Sequence, residues 1–252
     1  MDSFIIKPFN TVFLSLLALA VLFCVFFVRI SRKKSLTERR KAVIIMYSIV
    51  FVIYMLYKYA LSIDAQYSAL RMSNGYGAFN WFDELPLHLC NINIILVVIA
   101  LLVNSKAMLG FSFFSSFLGA IAAILIPPAE FVGFSIMMPR MMGYYLTHFF
   151  VLLILPILSG LDLYKPSYSD IRPVLTAFCI TTIIITGINI IFIKTGLDIN
   201  CNYFYSMDPN GISVLEALYN IIPIPWVYQL PLLIIIVPYM LILTYCFNLK
   251  SS

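Results

Sequence analysis

Residues 11–41 read TVFLSLLALAVLFCVFFVRISRKKSLTERRK, an apolar run of about 20 residues followed by a short and strongly basic segment. A helix that crosses the hydrocarbon core of a bilayer needs a run of this length. The run is too long for the core of a secretory signal peptide, and its positive charge lies on the C-terminal side. We therefore predict a first transmembrane helix that is retained.

The remainder of the chain repeats this pattern. Of its 252 residues, 62% are hydrophobic and only 11% are charged, whereas soluble domains are about 45–50% apolar and about 25% charged. A soluble chain of this length could not bury so much apolar surface. The apolar runs are continuous and do not alternate, which favours helices over the strands of a membrane barrel. The sequence predicts an all-α polytopic membrane protein, one transmembrane domain over 1–252, with seven helices in one bundle over about 11–30, 42–62, 85–103, 108–126, 141–160, 171–193 and 229–248.

Basic residues predict the orientation of the bundle. The first connection carries Arg29, Arg32, Lys33, Lys34, Arg39, Arg40 and Lys41. Because short cytoplasmic loops are rich in Lys and Arg, we place this loop in the cytoplasm, the N-terminus outside and the C-terminus inside. The same charges could bind anionic lipid or nucleic acid, but topology explains them, so no nucleic-acid partner is expected. The expected location is the cell membrane.

Several familiar classes of membrane protein do not fit. A retinal protein needs a lysine in its last helix, and residues 229–248 contain none. Ion-coupled transporters place charges near the bilayer midplane, whereas the one charge within a span here, apart from helix ends, is Lys58. We expect Lys58 to extend to the outer surface. His88, Cys90 and His148 lack a familiar zinc spacing, so we expect no metal and no cofactor.

The most informative segment is residues 81–93, WFDELPLHLCNIN. Asp83 and Glu84 suit the start of a helix because negative charge favours the positive end of its dipole. Pro86 suits the first turn, where its missing N–H costs nothing. Polar groups within a span are costly unless they face protein or a water-filled cavity. Four of them follow in close succession: His88, Cys90, Asn91 and Asn93.

The second histidine lies in the fifth predicted span, in residues 144–150, YYLTHFF. Counted from the predicted helix starts at about 1.5 Å per residue, Cys90 and His148 lie about 7–11 Å below the outer boundary. At about 100° per residue, His88 and Cys90 point to nearly opposite sides of their helix. A base for Cys90 is therefore expected from another helix. Asn189 falls in the outer third of the sixth helix, and we predict that helices three, five and six meet with an asparagine beside the pair.

A cysteine and a histidine at one depth suggest nucleophilic chemistry. The thiolate is the reactive form and needs an adjacent base. Such a pair in the outer leaflet could form an acyl thioester and pass the acyl group to water or an alcohol. An amide from Asn91, Asn93 or Asn189 could orient the imidazole or stabilise an oxyanion. Two alternatives remain open: the polar groups join helices by hydrogen bonds, or they line a binding cavity.

Three blocks and the second histidine carry a resemblance to a known family. LPLHLCNI at 85–92, NCNYFYSMDP at 200–209 and PIPW at 223–226 resemble the YwaF-like family of bacterial integral membrane proteins. That family is similar to the eukaryotic transmembrane protein 164 acyltransferases and, more distantly, to the androgen-induced membrane hydrolases. The resemblance covers roughly residues 40–248. It implies a lipid acyltransferase that acts on membrane phospholipids, with Cys90 as nucleophile and His148 as its partner.

The long outer loop over 196–228 has two possible roles. It contains Asn202 and Tyr203, and its aromatic residues suit the membrane surface. It either forms this aromatic belt or covers the Cys90 layer as a lid or headgroup-binding loop. For the whole chain, the alternative to an enzyme is a non-enzymatic binding or transport protein for a small or lipid-like ligand. A third possibility is a purely structural membrane subunit.

Overall fold

The computed structural model describes residues 4–73, 77–127 and 135–249. These residues form α-helices and short 3-10 turns, with one isolated β-bridge between Ile5 and Ser135. The predicted all-helical class is confirmed for this part of the chain. The helices are α1 (Thr11–Ser31), α2 (Leu36–Ser62), α3 (Ala65–Ser73), α4 (Leu89–Val103), α5 (Lys106–Leu125), α6 (Pro139–Leu152), α7 (Ile154–Gly160), α8 (Ile171–Thr195), α9 (Ser213–Ile221) and α10 (Leu233–Leu249).

Six helical segments of the described residues are long and apolar enough to cross a membrane. They are Thr11–Ser31, Leu36–Ser62, Lys106–Leu125, Pro139–Gly160, Tyr168–Thr195 and Val227–Leu249. They match six of the seven predicted spans. The segment that contains α6 and α7 is interrupted at Leu153. Pro156 explains the interruption because its ring clashes with the carbonyl four residues earlier, that of Leu152.

The third predicted span differs from the prediction. Its helix, α4, begins at Leu89 and has 15 residues. The segment before it forms turns, in which the Leu87 N–H donates to the Leu85 carbonyl (2.7 Å). Placing Asp83 and Glu84 at the helix start was therefore wrong, because both carboxylates bind side chains of α2 and α3 instead. Cys90 consequently lies in the first turn of α4.

The basic loops meet at one end of the bundle. A capping box between Ser35 and Glu38 starts α2 at Leu36, six residues before its predicted start. Three contacts then join this end of α2 and α5 to neighbouring loops: Arg39 to Asp162 (2.9 Å), Arg40 to Asn104 (2.6 Å), and Lys106 to Asp170 (2.8 Å). The connections α1–α2, α4–α5 and α7–α8 thus share one end. The fourth predicted span, 108–126, corresponds to α5, which ends at Leu125.

A glycine determines how closely α2 and α6 pack. A Cβ atom added at Gly143 would lie 2.3 Å from the ring of Tyr57. The same ring is held by a hydrogen bond from its hydroxyl to the Arg140 carbonyl (3.3 Å). The close approach of α2 and α6 at this crossing therefore requires a residue without a side chain at position 143.

We expect Gly143→Ala to lower stability by about 1–3 kcal/mol, as overpacking in a core does. The matched control is Gly187→Ala on α8, where no described atom lies within 4 Å of the added Cβ. There the better helix propensity of alanine is expected to leave stability unchanged or slightly higher. Thermal melting in detergent, followed by size-exclusion chromatography, measures both. Equal melting temperatures for the two variants would contradict the close packing.

Candidate functional site

Cys90 lies in the first turn of α4, directly after Leu89. The residue before the helix, His88, takes an extended conformation, and among the described residues its side chain makes no capping hydrogen bond. The N–H groups of a first helical turn lack partners within the helix and carry partial positive charge. The half-buried Cys90 side chain therefore lies where a developing negative charge is stabilised.

The thiol packs against α5 at a position without a side chain. A Cβ atom added at Gly119 would lie 3.3 Å from the Cys90 Sγ. One turn later on α4 and one turn earlier on α5, a second contact joins the two helices. The Asn93 amide donates to the Ser115 hydroxyl (3.0 Å) and to the Leu89 carbonyl (2.7 Å). These contacts fix the register of α4 against α5. The Asn93 amide group therefore has its hydrogen-bond partners on α4 and α5.

His148 is held on α6 in a defined tautomer. Its side chain is 8% exposed, and its Nδ1 lies 2.7 Å from the Tyr144 carbonyl oxygen. Because a carbonyl oxygen can only accept, Nδ1 carries the proton and Nε2 is the accepting nitrogen. The Tyr144 ring packs on the imidazole with centroids 4.2 Å apart. His148 thus has the protonation pattern of a general base.

The register of α6 against α5 relates this histidine to the thiol. The Tyr144 hydroxyl donates to the Ala123 carbonyl (2.9 Å), one turn of α5 beyond Gly119. Since α6 runs back along α5, His148 lies one turn beyond Tyr144, near the level of Gly119. Helices α4, α5 and α6 contact one another pairwise. α4 and α6 thus both pack on the stretch of α5 from Gly119 to Ala123, while a shared layer and a hydrogen-bond contact between Cys90 and His148 stay predictions.

The other histidine faces the outer loop. The His88 ring packs against Tyr203 and Tyr205, with centroids 5.1 and 5.5 Å apart. The angular argument that separated His88 from Cys90 assumed one continuous helix and does not apply, because His88 precedes α4.

Asn189 and Tyr203 hold the outer loop to the bundle. The buried Asn189 amide donates to the Tyr203 carbonyl and the Ser206 hydroxyl (both 2.9 Å), and its oxygen accepts from the Tyr203 N–H and the Cys201 thiol (both 3.1 Å). The Tyr203 hydroxyl donates to the Phe82 carbonyl (2.6 Å). These bonds give Asn189 a structural role in anchoring the loop.

The remaining two asparagines have local partners. Asn91 donates to the Tyr54 hydroxyl of α2 (3.3 Å). Asn202 shapes a turn, since its oxygen accepts from the Met207 N–H (3.0 Å) and its amide donates to the Asp208 carbonyl (2.9 Å). Asn91 thus links the start of α4 to α2, as Asn93 links it to α5.

A buried ionic cluster near the outer loop was missed by sequence reasoning. Lys58 forms an ion pair with Glu84, which also accepts from the Tyr67 hydroxyl (2.6 Å) and from Arg71 (3.1 Å). Arg71 also pairs with Asp83 (2.6 Å). Burial raises the pKa of Glu84, but Lys58 and the other donors outweigh it and lower the pKa to about 2. The prediction that Lys58 extends to the surface was wrong, because Glu84 provides a buried partner.

Comparison with known proteins places the chain in a family. The model of the TMEM164 family matches residues 6–245. The chain belongs to the TMEM164 family. No curated protein and no solved structure matches it. Together with the six long apolar helices of the described residues, membership in the TMEM164 family identifies a multi-pass membrane protein.

Proposed function

We propose that this TMEM164-family protein is a lipid acyltransferase or lipid hydrolase of the cell membrane, with Cys90 as nucleophile and His148 as general base. One observation carries the proposal: α4 and α6 both pack on α5, α4 with a first-turn thiol against Gly119 and α6 with an imidazole whose Nε2 is the accepting nitrogen. A half-buried thiol beside apolar side chains ionises poorly unless a base takes its proton. This arrangement supplies both groups.

The proposed reaction has two steps, acylation of Cys90 and transfer of the acyl group. As Nε2 of His148 takes the thiol proton, the Cys90 Sγ attacks the ester carbonyl of a phospholipid. The C–O bond then breaks, the leaving alcohol receives the proton from the imidazolium, and a thioester remains on Cys90. The hydroxyl of a second lipid, or water, loses its proton to His148 and attacks the thioester, which restores the thiol. First-turn N–H groups of α4 are the candidate donors to the oxyanion.

The finer topology is part of the proposal. Treating α4 as a short third span gives seven spans, an outside N-terminus and an inside C-terminus. The basic end that contains Arg39 and Arg40 then faces the cytoplasm, and Cys90 lies in the outer leaflet. Assignment to the YwaF-like bacterial branch rests on the LPLHLCNI block and stays a prediction.

A labelling experiment tests the orientation. We expect a membrane-impermeant maleimide to leave Lys33→Cys unlabelled in intact cells and to label Ser213→Cys, both at exposed positions. Native cysteines other than Cys90 are replaced by alanine first. Labelling of Lys33→Cys from outside would reverse the orientation.

Capture of the acyl-enzyme tests the chemistry. The purified protein is incubated with vesicles of a phospholipid that carries an alkyne on its acyl chain. We expect a protein-bound label that neutral hydroxylamine removes, since it cleaves thioesters. Cys90→Ala is expected to abolish the label, whereas the matched control Cys179→Ala, an exposed cysteine on α8, keeps it. A label that persists in Cys90→Ala would refute the proposed nucleophile.

Lipid binding without turnover is the second candidate function. It is favoured by an apolar cleft of about 220 Å³ between α2 and α6. In a deletion strain, a non-enzymatic protein should restore the lipid profile with Cys90→Ser as well as with the wild type. An enzyme that needs the thiol should not.

A further inference from the structure

The cleft between α2 and α6 runs along both helices for about three turns. On α2 its lining extends from Val50 to Ala60, and on α6 from Pro139 to Phe150. Its walls are mostly aliphatic and aromatic, with Ile53, Tyr54 and Tyr57 on α2 and Met142, Leu146 and Phe150 on α6. The space is narrow, elongated and apolar.

One side of the cleft opens outward and the other is closed. Three lining side chains form its rim and are largely exposed: Ile53 (45%), Met142 (44%) and Leu146 (42%). Tyr54 forms the inner wall and is 4% exposed. Because α2 and α6 both lie in segments able to cross a membrane, the open side faces the hydrocarbon of the bilayer.

The inner wall separates the cleft from the Cys90 layer. The Tyr54 hydroxyl accepts a hydrogen bond from Asn91 (3.3 Å), the residue next to Cys90. On α6, the lining residue Thr147 directly precedes His148. The wall of the cleft therefore contains Tyr54, which bonds the neighbour of Cys90, and Thr147, the neighbour of His148.

An arginine lies beside the outer end of the cleft. Pro139 lines it, and the next residue, Arg140, holds its guanidinium 5.2 Å from the ring of Tyr67. A guanidinium at the mouth of an apolar channel suits the phosphate of a lipid headgroup. An apolar cleft with an arginine beside its end matches an acyl chain that is attached to a phosphate headgroup.

We propose that this cleft admits the acyl chain of a membrane phospholipid sideways from the bilayer and directs its ester carbonyl to Cys90. The proposal rests on the proposed function and deepens it by assigning the binding site of the acyl chain. The chain lies between Ile53 and Leu146, and the headgroup lies toward Arg140. Tyr54 stands between the bound chain and Cys90, so the ester has to pass this side chain to reach the thiol.

Photo-crosslinking tests the proposed acyl-chain site and does not depend on catalysis. Vesicles contain a phospholipid with a diazirine and an alkyne on one acyl chain, and labelled residues are mapped by mass spectrometry. We expect labels concentrated on the cleft residues of α2 and α6. Leu146→Trp fills the cleft and is expected to lower this labelling about tenfold, a loss of about 1.4 kcal/mol of binding. Ile53→Trp, from the opposite wall, serves as the second variant if the first fails to fold.

The matched control is Ile183→Trp on α8, whose side chain is 60% exposed and remote from the cleft. It should leave cleft labelling at the wild-type level. Cleft labelling no stronger than that of Ile183 and Ile184 would overturn the proposal, as would equal labelling in all three tryptophan variants. Cys90→Ala separates the two hypotheses. It should keep the crosslinks while losing the thioester, so crosslinks without any thioester in the wild type would refute only the proposed chemistry.

Discussion

Replacing His148 with alanine is expected to slow acylation of Cys90 by about 10²–10⁴-fold, the usual contribution of a general base. The Nδ1 of His148 is committed to the Tyr144 carbonyl, so the accepting Nε2 is the atom that would receive the thiol proton. Without it, the thiol must ionise unaided in a buried site. The measurement is the rate at which the alkyne-labelled acyl group appears on Cys90 in vesicles.

The matched control is His88→Ala. His88 packs on Tyr203 and Tyr205, so its loss should disturb the outer loop and lower the melting temperature more than the acylation rate. His148→Ala should do the reverse. If His88→Ala causes the larger fall in rate while His148→Ala acylates like the wild type, the assignment of the base is wrong and His88 takes that role.

Much of the helical framework could be predicted because long apolar runs have few alternatives. The first predicted span, 11–30, corresponds to Thr11–Ser31, and the sixth, 171–193, lies within Tyr168–Thr195. The start of α4 could not be predicted in the same way. Asp83 and Glu84 have the composition of a first helical turn, but Lys58 and Arg71 bind them outside the helix. Tertiary ion pairs thus override a local preference.

The candidate site, like the fold, could be predicted only in part. Sequence reasoning paired Cys90 with His148 by counting from the predicted helix starts. In the structure Cys90 is the second residue of α4 and His148 the tenth of α6, so that count does not relate them. What relates them is the packing of both helices on α5, at Gly119 and Ala123. Such register depends on contacts between helices, which a single sequence does not reveal.

Glu84→Gln is expected to destabilise the protein by about 3–5 kcal/mol, the effect of removing one partner from a buried ion pair. The side chains of Lys58, Glu84 and Arg71 are only 12%, 10% and 9% exposed. Glutamine keeps the size of the side chain but leaves Lys58 without its carboxylate. Thermal melting in detergent measures the loss.

Asp162→Asn is the matched control. It removes the carboxylate that pairs with Arg39 at the opposite end of the bundle, where the Asp162 side chain is 57% exposed. Solvent screens such a pair, so its loss should cost only about 0–1 kcal/mol. A similar loss in both variants would mean that burial adds nothing to the Glu84 cluster.

The dependence on pH separates charge from packing at Glu84. The cluster lowers the pKa of this carboxyl from 4.5 to about 2. A lowered pKa in the folded state gives stability that is complete above pH 4.5 and is lost as the pH falls toward 2. The gap in melting temperature between wild type and Glu84→Gln should therefore stay constant from neutral pH to about pH 5 and narrow below it. A gap that is equally wide at all pH values would show that Glu84 acts through its shape, because a charge-dependent contribution must decrease as the carboxylate takes up its proton.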